Sequence, residues 1–190
     1  MDAFLLSFGV IFLAELGDKS QLMALAFATR FPALKVLVAI SIATLIVHLG
    51  SVALGATVAL ALPTNLIAIV AGVAFLVFAA WTLRGDELGE GDEARARRDA
   101  AGSVVLTVGT AFFRAELGDK TMLATVTLAT NHGAIETWLG STAGMVAADA
   151  IAIAIGKALG TRLPERAIRI GAAVAFVVFG LILIWQGVRS

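Results

Sequence analysis

The sequence predicts an all-α integral membrane protein, with six transmembrane helices arranged as two inverted three-helix repeats. Three observations carry that expectation. The 190-residue chain is 59% hydrophobic with a mean hydropathy of +0.96, whereas soluble domains are about 45–50% apolar. Apolar stretches near the roughly 20 residues that a spanning helix needs recur from end to end, without the alternation of an outer-membrane barrel. The chain also repeats itself. The hexad Glu15-Leu16-Gly17-Asp18-Lys19-Ser20 returns 101 positions later (116 − 15) as Glu116-Leu117-Gly118-Asp119-Lys120-Thr121, again inside apolar sequence.

The first helix is expected over residues 3–29 and ends at Arg30-Phe31-Pro32, because the residue before a proline is disfavoured in a helix. The stretch Met1-Asp2-Ala3-Phe4-Leu5-Leu6 lacks the basic start of a signal peptide. Glu15 and Asp18 then interrupt what would be its apolar core, so this segment is read as retained. The second helix is expected over 33–60, up to Leu62-Pro63-Thr64-Asn65, and the third over 66–83. Residues 84–102 hold six acids and four arginines and read as a solvated linker. The fourth helix, 103–130, carries the second hexad and stops at Asn131-His132-Gly133. The fifth covers 134–159. Leu163-Pro164 leads to the sixth, 168–188.

One ungapped register relates residues 1–89 to 102–190, and the two repeats, 1–84 and 103–190, lie on either side of a cytoplasmic linker at 85–102. Pro63 meets Pro164, Gly55 meets Gly156, and Thr29 meets Thr130; Val73-Ala74-Phe75-Leu76-Val77-Phe78 meets Val174-Ala175-Phe176-Val177-Val178-Phe179. Matched prolines, glycines and charged hexads in one register point to duplication. Three helices per half is an odd number, so the second half enters from the opposite face, an arrangement that places transport sites near the bilayer midplane. Arg30, Lys35, Arg84, Arg95, Arg97, Arg98, Lys157, Arg162, Arg166 and Arg169 fall on one side and only Arg189 on the other. The positive-inside rule then puts both termini outside.

Zero net charge argues against a nucleic-acid partner, and the absence of cysteine removes disulfides and soft thiolate metal sites. The expected partners are the lipid bilayer and an ion; a homo-oligomer stays open.

A glutamate and an aspartate at i and i+3 share a helix face, so Glu15 pairs with Asp18 and Glu116 with Asp119. If the halves pack about a two-fold axis, four carboxylates converge, a donor set suited to hard divalent cations. Facing lipid, four charges would cost on the order of 10–14 kcal/mol, comparable to a typical whole-protein stability of about 5–15 kcal/mol. They therefore face the protein interior or water. Buried acid–lysine pairs that merely lock helices are the bland alternative, but two acids for each lysine leave surplus negative charge that such a lock does not need.

Gly17 and Gly118 weaken the helix inside each motif, permit close approach, or free carbonyls as ligands. Ser20 and Thr121 add hydroxyl oxygens. Gln21 and Met122, also matched, offer an amide oxygen and a thioether; the latter favours Mn²⁺ over Ca²⁺. Lys19 and Lys120 are candidates for neutralising the unloaded site. His48 and Asp149 are matched positions (149 − 48 = 101) and candidate proton relays, with an interhelical hydrogen bond as the alternative. Arg114 either pairs with Glu116 or Asp149 or snorkels to an interface. Ser41, Thr44, His48, Ser51 and Gly55 form a stripe expected to pack helices, and Trp81, Trp138 and Trp185 read as interfacial anchors.

The doubled E-x-G-D-[K/R]-[S/T] motif on a six-helix chain resembles the Gdt-type cation/proton exchangers. The resemblance covers essentially the whole sequence. It implies Ca²⁺ or Mn²⁺ exchange against protons, with Glu15, Asp18, Glu116 and Asp119 as cation ligands and no cofactor. Mn²⁺ export from a bacterial inner membrane is the expected form, the absence of an organellar presequence favouring that location. Met122 departs from the glutamine that relatives often carry there. Two other classes compete: a channel lined by an acidic ring, and an intramembrane aspartyl hydrolase, whose G-x-G-D pattern is broken here by Glu15 and Glu116.

Overall fold

The computed structural model describes residues 2–84, 103–159 and 165–189; the expected linker lies outside them. The described residues form eight helices and no strand: α1 (Asp2–Glu15), α2 (Lys19–Ala28), α3 (Ala33–Ala61), α4 (Thr64–Arg84), α5 (Val104–Glu116), α6 (Lys120–Asn131), α7 (Ala134–Leu159) and α8 (Glu165–Arg189). Four stretches are long and apolar enough to cross a membrane: Ala33–Ala61, Thr64–Arg84, Ala134–Gly156 and Ile170–Arg189. Their outward faces are apolar, with Ile46, Val70, Val77 and Leu181 among the exposed side chains, as expected of positions that meet lipid rather than water.

The expected first and fourth helices are each broken in two at the motif. Gly17 and Gly118 adopt φ of 76° and 79°, a left-handed conformation that costs other residues roughly 1–2 kcal/mol. The two breaks are alike in detail. Asp18 N–H donates to Glu15 O at 3.0 Å, and Asp119 N–H to Glu116 O at 3.2 Å. Glu15 and Glu116 end one helix; Asp18 and Asp119 cap the next. The expectation that each acid pair shares a continuous helix face is therefore corrected: glycine interrupts the ladder between them.

Packing runs between the halves more than within them. The most extensive contact joins α4 to α8; α1 packs on α7, and α5 on α3. Individual contacts recur reciprocally at the offset of 101. A Cβ on Gly55 would meet Val126, and one on Gly156 would meet Leu25, which is the same contact with the halves exchanged. Phe75 and Phe176, matched positions, have ring centroids 5.8 Å apart, and Phe78–Phe176 and Phe75–Phe179 are both 6.3 Å. Thr44 Oγ1 donates to Met145 Sδ at 3.3 Å, again joining matched positions.

The small-residue stripe of α3 does pack. Thr44, His48, Ser51 and Gly55 are buried, and Ser51 Oγ donates back to Val47 O at 2.8 Å. On α7, Gly140 and Gly144 bring the backbone of α1 so close that a Cβ would collide with Phe4 O at the first and with Phe8 O, 2.5 Å away, at the second. Exposed Trp185 stacks under Arg189, 4.3 Å from its centroid, an arrangement suited to an interface. Trp138 instead ties α7 to α3, donating to Leu45 O at 2.9 Å.

Candidate cation site

The two breaks meet at the centre of the bundle. Glu15, Asp18, Glu116, Asp119 and Asp149 are all at most 2% exposed. Glu15 lies within electrostatic reach of Glu116, Asp18 and Asp149, and Glu116 within reach of Asp119, Asp18 and Asp149. Five acids thus share one buried neighbourhood, four from the motifs and one from α7.

What holds them differs by residue type. An aspartate at a helix start ordinarily accepts a hydrogen bond from its own helix. Asp18 and Asp119 have the extended N-cap backbone but make no side-chain cap bond. Each turns to the lysine of the other motif. Lys19 Nζ is 2.9 Å from Asp119 Oδ1, and Lys120 Nζ pairs with Asp18 Oδ1. Both ion pairs cross between the halves.

The glutamates have hydroxyl partners instead. Ser20 Oγ lies against Glu15 Oε1 and 2.9 Å from Asp18 Oδ2. A hydroxyl carries one proton, so it satisfies only one carboxylate at a time. Thr121 Oγ1 donates to Glu116 Oε2 at 2.8 Å. Glu15 Oε2 and Glu116 Oε1 remain buried without a hydrogen-bond partner, as do both oxygens of Asp149, both of Asp119 apart from its ion pair with Lys19, and both ring nitrogens of His48. Buried acid oxygens without donors are costly unless a proton or a cation meets them.

Gln21 and Met122 brace the breaks. Gln21 Oε1 accepts from Gly17 N–H at 2.8 Å while its Nε2 donates to Ala148 O at 3.0 Å, beside Asp149. Met122 Sδ accepts from Gly118 N–H at 3.1 Å. Arg114 is exposed rather than buried with the acids. Among the described residues no three His, Cys, Asp or Glu side chains are arranged to ligate one metal ion; the lysines occupy the aspartates, so a cation drawing on all four motif acids must displace them.

The chain matches the profile described as "Divalent cation/proton antiporter GDT1" over residues 3–90 and 104–190. The chain belongs to the GDT1 family. It is a transporter of the multi-pass membrane class, not an enzyme, and the divalent cation is its substrate. Relatives agree in kind. It is 35% identical over 184 residues to a Vibrio cholerae protein named "Putative manganese exporter", covering 95% of this chain and 90% of that one. It is 31% identical to the chloroplastic protein PAM71 of Arabidopsis thaliana, covering 94% of this chain and 55% of the relative. It is 26% identical to a GDT1-like protein of Synechocystis, covering 97% and 98%. No solved structure matches. Membership of the GDT1 family sets aside the hydrolase alternative.

Sequence reasoning located both motifs but missed three things: the helix breaks, the crossed ion pairs, and the Thr44–Met145 contact between α3 and α7. The register of 101 marks Thr44 and Met145 as matched positions but carries no signal of their contact.

Proposed function

We propose that this protein exports Mn²⁺ from the cytoplasm in exchange for external protons, through a site formed by Glu15, Asp18, Glu116 and Asp119 between two inverted three-helix repeats. The observation that carries the reading is the pair of broken helices whose acids meet at the centre of an apolar bundle. Discontinuous helices of this kind present half-helix ends to an ion. The glutamates stand at helix C-termini, where the macrodipole favours positive charge, and the aspartates at N-termini, where it favours negative charge. The glutamates, at the helix ends where the macrodipole favours positive charge, are thus where a cation gains most.

In this reading α1–α2 and α5–α6 each act as one span, completing six. The reciprocal contacts at offset 101 support a two-fold relation between the repeats, and the single-sided basic residues support outside termini in a bacterial inner membrane. Mn²⁺ is preferred over Ca²⁺ because a relative bears the name of a manganese exporter; Met122 strengthens the preference if its sulfur exchanges Gly118 N–H for the metal. Ser20, Thr121 and Gln21 are supporting ligands on the same terms. Asp149 and His48, buried and without partners, are the candidates for carrying protons past the site.

The test is exchange in proteoliposomes under an imposed pH gradient. Wild type moves Mn²⁺ uphill and acidifies the compartment that the metal leaves. Glu15→Gln and Asp119→Asn each lower exchange at least about 100-fold, more than a single lost charged hydrogen bond of roughly 1.5–3 kcal/mol would cost at its lower end. Metal-driven proton movement that survives both substitutions rules the site out, and flux unable to run uphill assigns the chain to channels.

A further inference from the structure

We propose that Lys19 and Lys120 are tethered counter-cations that compete with the transported metal for Asp119 and Asp18, each reaching from its own motif to the acid of the other. This rests on the exchanger reading and adds a role for the lysines within it.

Three observations carry it. First, the two ion pairs run from the lysine of each motif to the aspartate of the other. Lys120 Nζ sits on Asp18 Oδ1 and Lys19 Nζ 2.9 Å from Asp119 Oδ1, yet both Asp119 oxygens, like Glu15 Oε2 and Glu116 Oε1, have no hydrogen-bond partner.

Second, each lysine is the first residue of its helix, α2 or α6. A positive charge there opposes the macrodipole, which favours acids at a helix start. Buried ion pairs are poor stabilisers compared with apolar packing. Stability therefore does not explain why both lysines stand where the dipole disfavours them.

Third, the pairs are unequal. The Lys19 side chain is 26% exposed, that of Lys120 5%, and both aspartates are sealed. Lys19 can swing outward without the bundle opening; Lys120 cannot. A divalent cation entering the acid cluster evicts Lys19 from Asp119 first and Lys120 from Asp18 second. When the metal leaves, the ammonium groups return and rejoin the halves.

A tethered competitor has a signature opposite to that of a ligand. Removing a ligand weakens binding; removing a competitor strengthens it. Mn²⁺ binding to the purified full chain, followed by the loss of free-Mn²⁺ paramagnetic resonance, is compared with exchange turnover in proteoliposomes. Lys120→Met is expected to bind Mn²⁺ at least about tenfold more tightly than wild type while turnover falls by a similar factor. Lys19→Met, on the more accessible pair, tightens binding about threefold.

Equal or weaker Mn²⁺ binding by Lys120→Met overturns the proposal. If that variant does not survive purification, Lys19→Met decides in the same way. Lower yield or melting temperature with unchanged affinity marks a purely structural pair and also overturns it. Wild-type protein that neither binds nor exchanges Mn²⁺ fails the exchanger reading itself, whereas wild-type binding without the sign reversal fails the competitor alone.

Discussion

At the residue scale, the chemistry of the centre is decided by two glycines. Gly118 has a φ of 79° and open space around its missing Cβ, so substitution there meets no steric neighbour. Gly118→Ala is expected to destabilise the protein by about 1–2 kcal/mol from the left-handed backbone alone. Gly171, also with nothing within 4 Å but inside helix α8, makes the comparison: Gly171→Ala should be neutral or stabilising by up to roughly 1 kcal/mol. Thermal unfolding in detergent reads both, and the same sign at both positions would mean the break is not what Gly118 supplies. The motif letters were legible in the sequence because charge in an apolar run is unmistakable. The break was not, since glycine occurs inside continuous membrane helices as well, and only the φ distinguishes the cases. The exchange of partners between motifs was equally hidden. Asp18 is next to Lys19 in sequence, yet its ion pair with Lys120 depends on how the halves dock.

At the element scale, helix boundaries followed directly from the punctuation. The prolines at 32 and 63 and the glycine at 133 set the ends of α2, α3 and α6 close to where they were expected. The close approach of α1 to α7 is the element contact most open to test. Gly144→Val places side-chain atoms where Phe8 O and Phe12 N already stand, 2.5 and 3.1 Å from a Cβ. Neither backbone atom can yield without moving α1, which ends in Glu15. A loss of about 1–3 kcal/mol in stability is expected from overpacking, together with a fall in exchange because Glu15 shifts. Wild-type melting and flux in this variant would show that α1 has slack. The stripe on α3 was legible as packing; that Thr44 would touch its own repeat-mate was not, because a register states correspondence, and contact follows only where a symmetry axis passes.

At the scale of the whole molecule, the fold class came from composition and the repeat from one constant offset, but orientation rests on the basic residues alone. The chain has no cysteine, so single introduced thiols report sidedness without background. Phe31→Cys, at the end of α2, is expected to react with an impermeant maleimide from the cytoplasmic face only, and Asn131→Cys, at the end of α6, from the external face only. The reverse pattern would invert the molecule and place both termini and the linker on the opposite faces.

The aromatic contact between α4 and α8 has a consequence for how such a protein survives its own cycle. Phe75, Phe78, Phe176 and Phe179 cluster where α4 meets α8, on helices that contribute none of the five central acids. Aromatic pairs of this geometry add about 0.5–1.5 kcal/mol each beyond the area they bury, and they are indifferent to which charges stand elsewhere. Cohesion and switching are therefore assigned to different parts of the molecule. In the proposed cycle two ionic clasps open at each turnover while a greasy keel keeps the halves in register, so the parts that let go are not the parts that hold.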